Sequence, residues 1–345
     1  MKTVIHKADE KFIEEAGMII KNGGLVAFPT ETVYGLGANA LDENASSKIY
    51  DAKGRPSDNP LIVHIADIEA LEKIVETVPK KAKILADKFW PGPLTMIFRK
   101  RDCVPYKTSG GLDTVAVRMP DNKIAIELIR KSGGYIAAPS ANTSGRPSPT
   151  TARHVLDDMD GKIDAIIDGG AVGIGIESTI VDLSEDIPVI LRPGYISREM
   201  ISDLIGEVKI DPAILNMADN GFKPKAPGMT YKHYSPKADI LIIEGDNDKV
   251  ISKINELVEE KTRQNKICGV ISSTENIEYY KGGIVKDIGS KTKEEQIAHN
   301  LYGLFREFDD ENVDFIFSES FKTPKMGMAI MNRLLKAAGY NIIKV

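Results

Sequence analysis

The chain lacks most of the features that would assign it to a familiar chemistry. It has two cysteines, Cys103 and Cys268, far apart and near no cluster of ligands. They form no disulfide framework and no metal spacing, and they fit a reducing compartment. Its five histidines add no transition-metal pattern, so no transition-metal site is expected. No apolar run is long enough to span a bilayer. The N-terminal stretch M-K-T-V-I-H-K-A-D-E has no apolar signal region. The expectation is a cytoplasmic protein with no membrane contact. Positive charge is also short: the net charge of −5 argues against broad electrostatic binding to nucleic acid, though not against a local basic cleft.

Several nucleotide and hydrolase signatures are missing as well. There is no G-x-x-x-x-G-K-[ST], no H-E-x-x-H and no G-x-S-x-G. Gly35-x-Gly37-x-x-Ala40 has the form of a dinucleotide fingerprint. That fingerprint must sit directly between a strand and a helix, and here residues 29–34 intervene after the strand. Any nucleotide chemistry must therefore use a different cradle.

What is present is ordinary globular material. The chain is 42% hydrophobic and 28% charged over 345 residues, enough for one large or two ordinary domains with a sizeable core. Apolar spacing predicts helices over Glu10–Asn22, Ala45–Lys53, Lys80–Phe89, Ile124–Lys131, Ala152–Asp158 and Ile196–Ile205. Asn44 is the expected cap of the second helix and Gly54 suits its C-terminal turn. Short apolar runs predict strands over Leu25–Phe28, Leu61–Ile65, Leu94–Phe98, Thr114–Arg118, Tyr135–Pro139, Ala165–Ile167, Ser178–Leu183 and Val189–Leu191. The short connection 184–188 implies antiparallel pairing, so this sheet is expected to be mixed. After Lys237 the pattern turns into a plain alternation. Strands over Asp239–Ile243, Ile267–Ser272, Gly283–Ile288 and Val313–Phe317 are separated by helices over Lys249–Glu260 and Lys293–Phe308, with a last helix over Met326–Ala338. That is a small doubly wound parallel sheet. The expected division is a catalytic domain over 1–206, a linker over 207–237 and a second domain over 238–345.

The chemistry concentrates in a few loops. Residues 29–37 read P-T-E-T-V-Y-G-L-G, and Lys53 and Arg55 bracket Gly54 before the stiff Pro56. Two cations there suit phosphate oxygens, although a helix-end cation and a solvated arginine explain them too. Ser140 and Asn142 follow the strand Tyr135–Pro139, where a turn is an equal explanation. Ser148-Pro149-Thr150-Thr151 reads as a helix cap. His64 lies on the opposite face of its strand from Val63 and Ile65. Arg118 ends its strand, placed either to clamp a carboxylate or to form a surface ion pair. Residues 173–179 read as a flexible loop entering a strand. Trp90, in F-W-P-G-P-L-T, reads as core packing at a helix end.

Together these segments resemble the threonylcarbamoyl-AMP synthase family, which has a YrdC-like fold. The resemblance rests on residues 29–37, K-x-R at Lys53 and Arg55, F-W-P-G-P-L-T at 89–95 and S-x-N at Ser140 and Asn142. It also rests on G-I-G-I-E-S-T-I-V-D from Gly173 to Asp182 and L-R-P-G at 191–194. Residues 226–236 (A-P-G-M-T-Y-K-H-Y-S-P) and 326–338 extend it to the family's two-domain form. The resemblance implies an α/β fold. An N-terminal mixed twisted sheet with helices surrounds a concave cleft, and a smaller C-terminal Rossmann-like doubly wound parallel sheet follows.

The resemblance also implies a reaction: L-threonine, bicarbonate or CO₂, and ATP give threonylcarbamoyl-AMP and pyrophosphate. The product feeds N6-threonylcarbamoyladenosine in tRNA through a downstream threonylcarbamoyl transferase. By motif position it places Thr32, His64, Arg118, Ser178 and the Ala138 backbone at threonine. Arg55, Asn59, Thr114, Ser140, Asn142, Ser148, Arg192 and Tyr231 fall at ATP, and Lys53 and Arg55 take catalytic roles. Mg²⁺ is expected on the ATP phosphates. A carbamate is already anionic, so positioning and charge neutralisation suffice without a strong base. Tyr231 lies in the linker, which is then expected to fold over the site as a lid. Two competing readings are an RNA-binding module that contacts tRNA without catalysis, and carbamoyl transfer in hydrogenase maturation. The latter needs zinc-finger cysteines that this chain does not have.

Overall fold

The structure is a computed structural model, and it describes residues 2–214, 225–227, 234–322 and 324–345. The chain forms two compact units, Met1–Ser144 with Ser148–Tyr231, and Gly145–Pro147 with Lys232–Val345.

In chain order the first unit contains β1 (Val4–Lys7), α1 (Glu10–Lys21), β2 (Val26–Phe28), β3 (Gly35–Asn39), α2 (Glu43–Lys53) and β4 (Ile62–His64). Then come α3 (Leu71–Ile74), α4 (Lys80–Phe89), β5 (Leu94–Arg99), α5 (Tyr106–Ser109), β6 (Thr114–Arg118), α6 (Lys123–Lys131) and β7 (Ile136–Ala137). It closes with α7 (Ala152–Met159), β8 (Ala165–Asp168), β9 (Thr179–Asp182), β10 (Val189–Arg192), α8 (Arg198–Ile205) and β11 (Lys209–Ile210). Its eleven strands form one mixed sheet in the order β1-β8-β2-β3-β7-β4-β6-β5-β9-β10-β11. The 184–188 connection does join an antiparallel pair, β9 and β10.

Register decides which side chains share a face. His64 pairs with Ile136 and with Arg118, Arg118 with Thr95, and Thr95 with Ile180. Alternation along each strand then puts Ile62, His64, Thr114, Ala116, Arg118, Thr95, Ile97, Ser178 and Ile180 on one side. The other side carries Val63, Met96, Phe98, Val115, Val117 and Val181, which belong to the main core with α2, α4 and α7 residues such as Ile49, Leu85 and Val155. On the first side α1 and α6 cover only the β2, β7 and β8 part, through Phe12, Ile13, Ile20, Leu128 and Ile129. Further along, Ile62, Ile97, Ala116, Ile180 and Leu191 form a small apolar floor against which Ala226 is buried. The polar residues stand on this floor.

One expectation is corrected, and two strands were not foreseen. Asp42, not Asn44, caps α2, its Oδ1 accepting from the backbone N–H groups of Asn44 and Ala45. The segment 35–39, for which no element was predicted, is a strand, β3. It lies between β2 and β7, and a Cβ on Gly37 would meet Ile136 at 2.8 Å and the Phe28 ring at 2.9 Å. The glycines therefore serve close packing rather than a dinucleotide. Strand β1 was not foreseen because its only apolar residues are the pair Val4-Ile5, too short a run to read as a strand, and all four of its residues are exposed. Trp90 behaves as read: it caps α4, is buried, and donates through Nε1 to the Leu94 carbonyl at 2.6 Å.

The second unit contains β12 (Asp239–Glu244), α9 (Asn247–Arg263), β13 (Cys268–Ser273), β14 (Ile284–Gly289), α10 (Glu294–Asp310), β15 (Phe315–Glu319), α11 (Gly327–Ala337) and β16 (Ile342–Lys344). Its five strands are all parallel, in the order β14-β13-β15-β12-β16. No helix among the described residues is long and apolar enough to cross a membrane.

Candidate active site

Four loops meet at Thr32. The backbone of residues 31–32 is held by the 173–175 loop, where Ile174 N–H donates to the Glu31 carbonyl (2.8 Å) and Gly175 N–H to that of Thr32 (3.0 Å). Tyr34 and Leu36 are bound to the next two loops, through Ala141 N–H to the Tyr34 carbonyl and Leu36 N–H to that of Pro139, both 2.8 Å. Tyr34 N–H donates to the Pro149 carbonyl at 2.9 Å. Segments far apart in sequence are thereby joined by main-chain hydrogen bonds, which fix loop position without depending on side-chain identity.

Arg118 is the centre of the side-chain network and is only 4% exposed. Its Nη1 donates to Thr32 Oγ1 (2.9 Å) and its Nε to the Gly92 carbonyl (3.3 Å), while Nη2 lies 2.7 Å from Glu31 Oε2. The surface-ion-pair alternative is therefore set aside, since this is a buried guanidinium at the end of a central strand. Thr32 Oγ1 also lies 2.9 Å from Thr30 Oγ1.

His64, beside Arg118 in register, is buried, and its Nδ1 is 3.1 Å from the Ile62 carbonyl. A carbonyl only accepts, so Nδ1 carries the proton. The Phe28 ring meets it edge-on at 6.2 Å between centroids. Burial, reinforced by the Arg118 charge and only partly opposed by hydrogen bonds to the Ile62 and Ile136 carbonyls, lowers the His64 pKa to about 3. His64 is therefore neutral at any physiological pH. The linkage has a definite sign. Between pH 6.5 and about 3 the unfolded chain binds a proton here that the folded chain does not, so stability falls as pH falls through that window. His64→Gln should flatten the acid side of the stability–pH curve by up to one proton, about 1.4 kcal/mol per pH unit, read by denaturant titrations at successive pH values.

Ser178 and Arg192 form the next group. Ser178 Oγ lies 2.7 Å from Thr95 Oγ1 and accepts from Arg192 Nη2 at 3.1 Å, while Arg192 Nε donates to the Ser178 carbonyl at 3.0 Å. Arg192 Nη1 donates to the Pro227 carbonyl at 3.4 Å. Gly194 permits the approach of this segment, since a Cβ there would lie 2.4 Å from Thr179 N and 2.8 Å from the Glu177 carbonyl. Ser148 Oγ makes a short hydrogen bond to Glu177 Oε1.

The cationic side is built by the end of α2. Gly54 adopts the left-handed conformation (φ 61°), and Arg55 N–H donates back to the Tyr50 carbonyl at 2.9 Å. The chain reverses there, and the two cations diverge. Lys53, 2% exposed, turns inward, and its Nζ donates to the carbonyls of Ser140 (2.5 Å) and Asn142. Burial, then the nearby Arg55 charge, holds its pKa well below the usual lysine value. Arg55 donates through Nε to the Asn59 carbonyl (3.3 Å) and through Nη2 to that of Pro60 (3.1 Å). Asn59 Oδ1 is buried and makes no hydrogen bond among the described residues. Ser140 Oγ donates to Asn142 Oδ1 at 2.6 Å, and Ala138 N–H to the Ile62 carbonyl at 2.8 Å.

Thr32, His64, Ala138, Arg118, Ser178 and Arg192 thus stand together on one face, and Lys53, Ser140 and Asn142 are joined by direct hydrogen bonds. Thr114 shares that face but starts β6, about 13 Å along the strand from Arg118. Tyr231 lies outside the described residues. The sequence reading missed Thr95 and Glu31. Thr95 had a signal, being the polar residue in an apolar strand that ends up fully buried.

The chain is an α/β protein with a large mixed sheet followed by a smaller, all-parallel Rossmann-like unit. Comparison with known proteins narrows this. Residues 18–194 match the Sua5/YciO/YrdC family model, described as telomere recombination. Residues 196–339 match the model described as threonylcarbamoyl-AMP synthase, C-terminal domain. The threonylcarbamoyl-AMP synthase of Pyrococcus abyssi is 51% identical over 342 residues, spanning 99% of this chain and 98% of that one. The Bacillus subtilis protein of the same name is 49% identical over 333 residues, 96% of this chain and 94% of its own. The crystal structure of P. abyssi Sua5 complexed with L-threonine superposes with a TM-score of 0.92 at 50% identity, covering 100% of this chain and 99% of that one. The chain belongs to the threonylcarbamoyl-AMP synthase family, in its two-domain form.

Proposed function

We propose that this protein is an L-threonylcarbamoyladenylate synthase, a nucleotidyltransferase that joins L-threonine, CO₂ (from bicarbonate) and ATP. The observation that supports it best is the face bearing Arg118, His64, Thr95, Ser178 and Arg192, flanked by the Lys53–Ser140–Asn142 assembly. Arg118 is suited to a threonine carboxylate, because a planar guanidinium in a buried place binds a carboxylate in two-pronged fashion. Thr32, His64, Ser178 and the Ala138 backbone complete the threonine pocket. Arg55, Asn59, Ser140, Asn142, Ser148 and Arg192 hold the nucleotide, with Thr114 at the far end and Tyr231 contributed by the linker. The linker reading is supported by Ala226 and Pro227, which pack on the floor and on Arg192.

The chemistry follows from these parts. Threonine's nitrogen forms a bond to the carbon of CO₂ and loses a proton, giving a carbamate. A carbamate oxygen then forms a bond to the α-phosphorus of ATP, and the bond to the β-phosphate oxygen breaks, releasing pyrophosphate. Charge develops on the phosphate oxygens, so fixed cations stabilise the transition state. Arg55 and Arg192 take that role. Lys53 acts by holding the Ser140–Asn142 loop, since two of its three donors go to that loop's carbonyls.

Mg²⁺ supplies further charge neutralisation when bound with ATP. The acidic groups of the site lie against protein partners: Glu31 is ion-paired with Arg118, Glu177 accepts from Ser148, and Asp158 accepts from Thr143 N–H. This donor set fits an ion held by nucleotide oxygens and water. Both described cysteines are free, which fits a cytoplasmic setting. The product's consumer is a tRNA threonylcarbamoyl transferase. The test is pyrophosphate release from ATP. It should require threonine and bicarbonate together, and release that ignores either one would overturn the assignment.

A further inference from the structure

Glu31 is absent from the residues that motif position places at threonine, yet it sits closest to Arg118. Its side chain is 14% exposed, and its Oε2 lies 2.7 Å from Arg118 Nη2. Despite that approach, neither Glu31 oxygen nor Arg118 Nη2 makes a hydrogen bond among the described residues, although all three atoms are buried. The two form an ion pair whose N–H is directed off the line to the carboxylate. Buried polar atoms are normally hydrogen-bonded, and leaving an anion and a cation side by side with capacity to spare is costly. The backbone offers no relief, because the Glu31 carbonyl is pinned by Ile174 N–H and the neighbouring Thr32 hydroxyl is taken by Arg118 and Thr30.

A ligand that satisfies both atoms must present an anion and a hydrogen-bond donor a short distance apart. An α-amino acid does so, with carboxylate and amine on one carbon. Building on the threonine-binding reading, we infer that Glu31 is a positioning residue for the amine: its carboxylate accepts from threonine's nitrogen while Arg118 takes the carboxylate. A carboxylate accepts from a neutral amine as well as from an ammonium. The contact therefore survives deprotonation and leaves the nitrogen lone pair aimed away from Glu31, toward the carbon of CO₂. Glu31 then favours an amino acid over the same acid without its amine. That acid would leave the Glu31 carboxylate buried and unpaired.

Calorimetric titration with L-threonine and with 3-hydroxybutanoate, its counterpart without the amine, tests this on wild type, Glu31→Gln and Glu31→Asp. Wild type should prefer threonine at least about tenfold, the usual reach of a charge-assisted hydrogen bond. Glu31→Gln should lose that preference through weaker threonine binding, while 3-hydroxybutanoate binds as well or better because Arg118 has lost an internal competitor. Glu31→Asp, which keeps the charge, should retain part of the preference. Equal binding of the two ligands by wild type overturns the inference without recourse to any variant. So does a Glu31→Gln protein that weakens or tightens both ligands alike, or a Glu31→Asp protein that loses the preference as fully as Glu31→Gln. No threonine binding by wild type overturns the underlying reading instead, and is distinguishable from these.

Discussion

Arg118→Lys is expected to cut kcat/KM for threonine by about 10²–10⁴-fold, because two charge-assisted hydrogen bonds of roughly 1.5–3 kcal/mol each are lost. The charge is kept, so a purely electrostatic view predicts a mild effect. The geometry predicts otherwise. The guanidinium simultaneously serves Thr32 Oγ1, the Gly92 carbonyl and the Glu31 carboxylate from a strand end that is almost fully buried. A lysine ammonium is a single point charge and cannot present two parallel donors to a carboxylate while holding those three partners. Threonine saturation in steady-state assays reads the loss, and ATP affinity measured without threonine should move by less than about threefold if the two subsites are separate. An Arg118→Lys enzyme within a few-fold of wild type would remove Arg118 from the threonine pocket.

Lys53→Met is the second large effect, and it separates two roles for this lysine. Methionine keeps most of its length, being one atom shorter, but donates nothing. The Ser140 and Asn142 carbonyls then lose a buried donor, at about 1–3 kcal/mol for each group left unsatisfied. The apparent Tm should fall by about 5–15 °C without any nucleotide present. Turnover should fall by about 100-fold or more, expressed in the ATP dependence, because Ser140 and Asn142 shift together. A lysine that contacted phosphate directly would leave the nucleotide-free Tm nearly unchanged and lower only turnover. Differential scanning with and without ATP distinguishes the two.

These residues also mark how far the sequence could be read. Periodicity located α4 and β6 to the residue, and the two-residue alternation correctly set His64 apart from Val63 and Ile65. Motif likeness named Thr32, Arg118 and Ser178, which the fold gathers on one face. The sequence did not reveal that Lys53 and Arg55 point to different partners. Gly54 is left-handed, and the chain reverses between them. Nor did it reveal β3, because the glycines that close packing against Phe28 requires look like a loop in one dimension. Glu31 escaped for a related reason. Its meaning comes from Arg118, 87 residues later, and no local pattern links them. The second unit was legible as a parallel alternation, although β16, three residues with a single Ile-Ile pair, was too short to be read as a strand.

A cocrystal structure with L-threonine and a non-hydrolysable ATP analogue tests the central claim most directly. The threonine carboxylate should lie on Arg118, and the α-phosphate should lie over the same sheet face between the Ser140–Asn142 loop and Arg192, with threonine's nitrogen turned toward it. A nucleotide bound on the parallel sheet of the second unit, or a threonine away from Arg118, would contradict it.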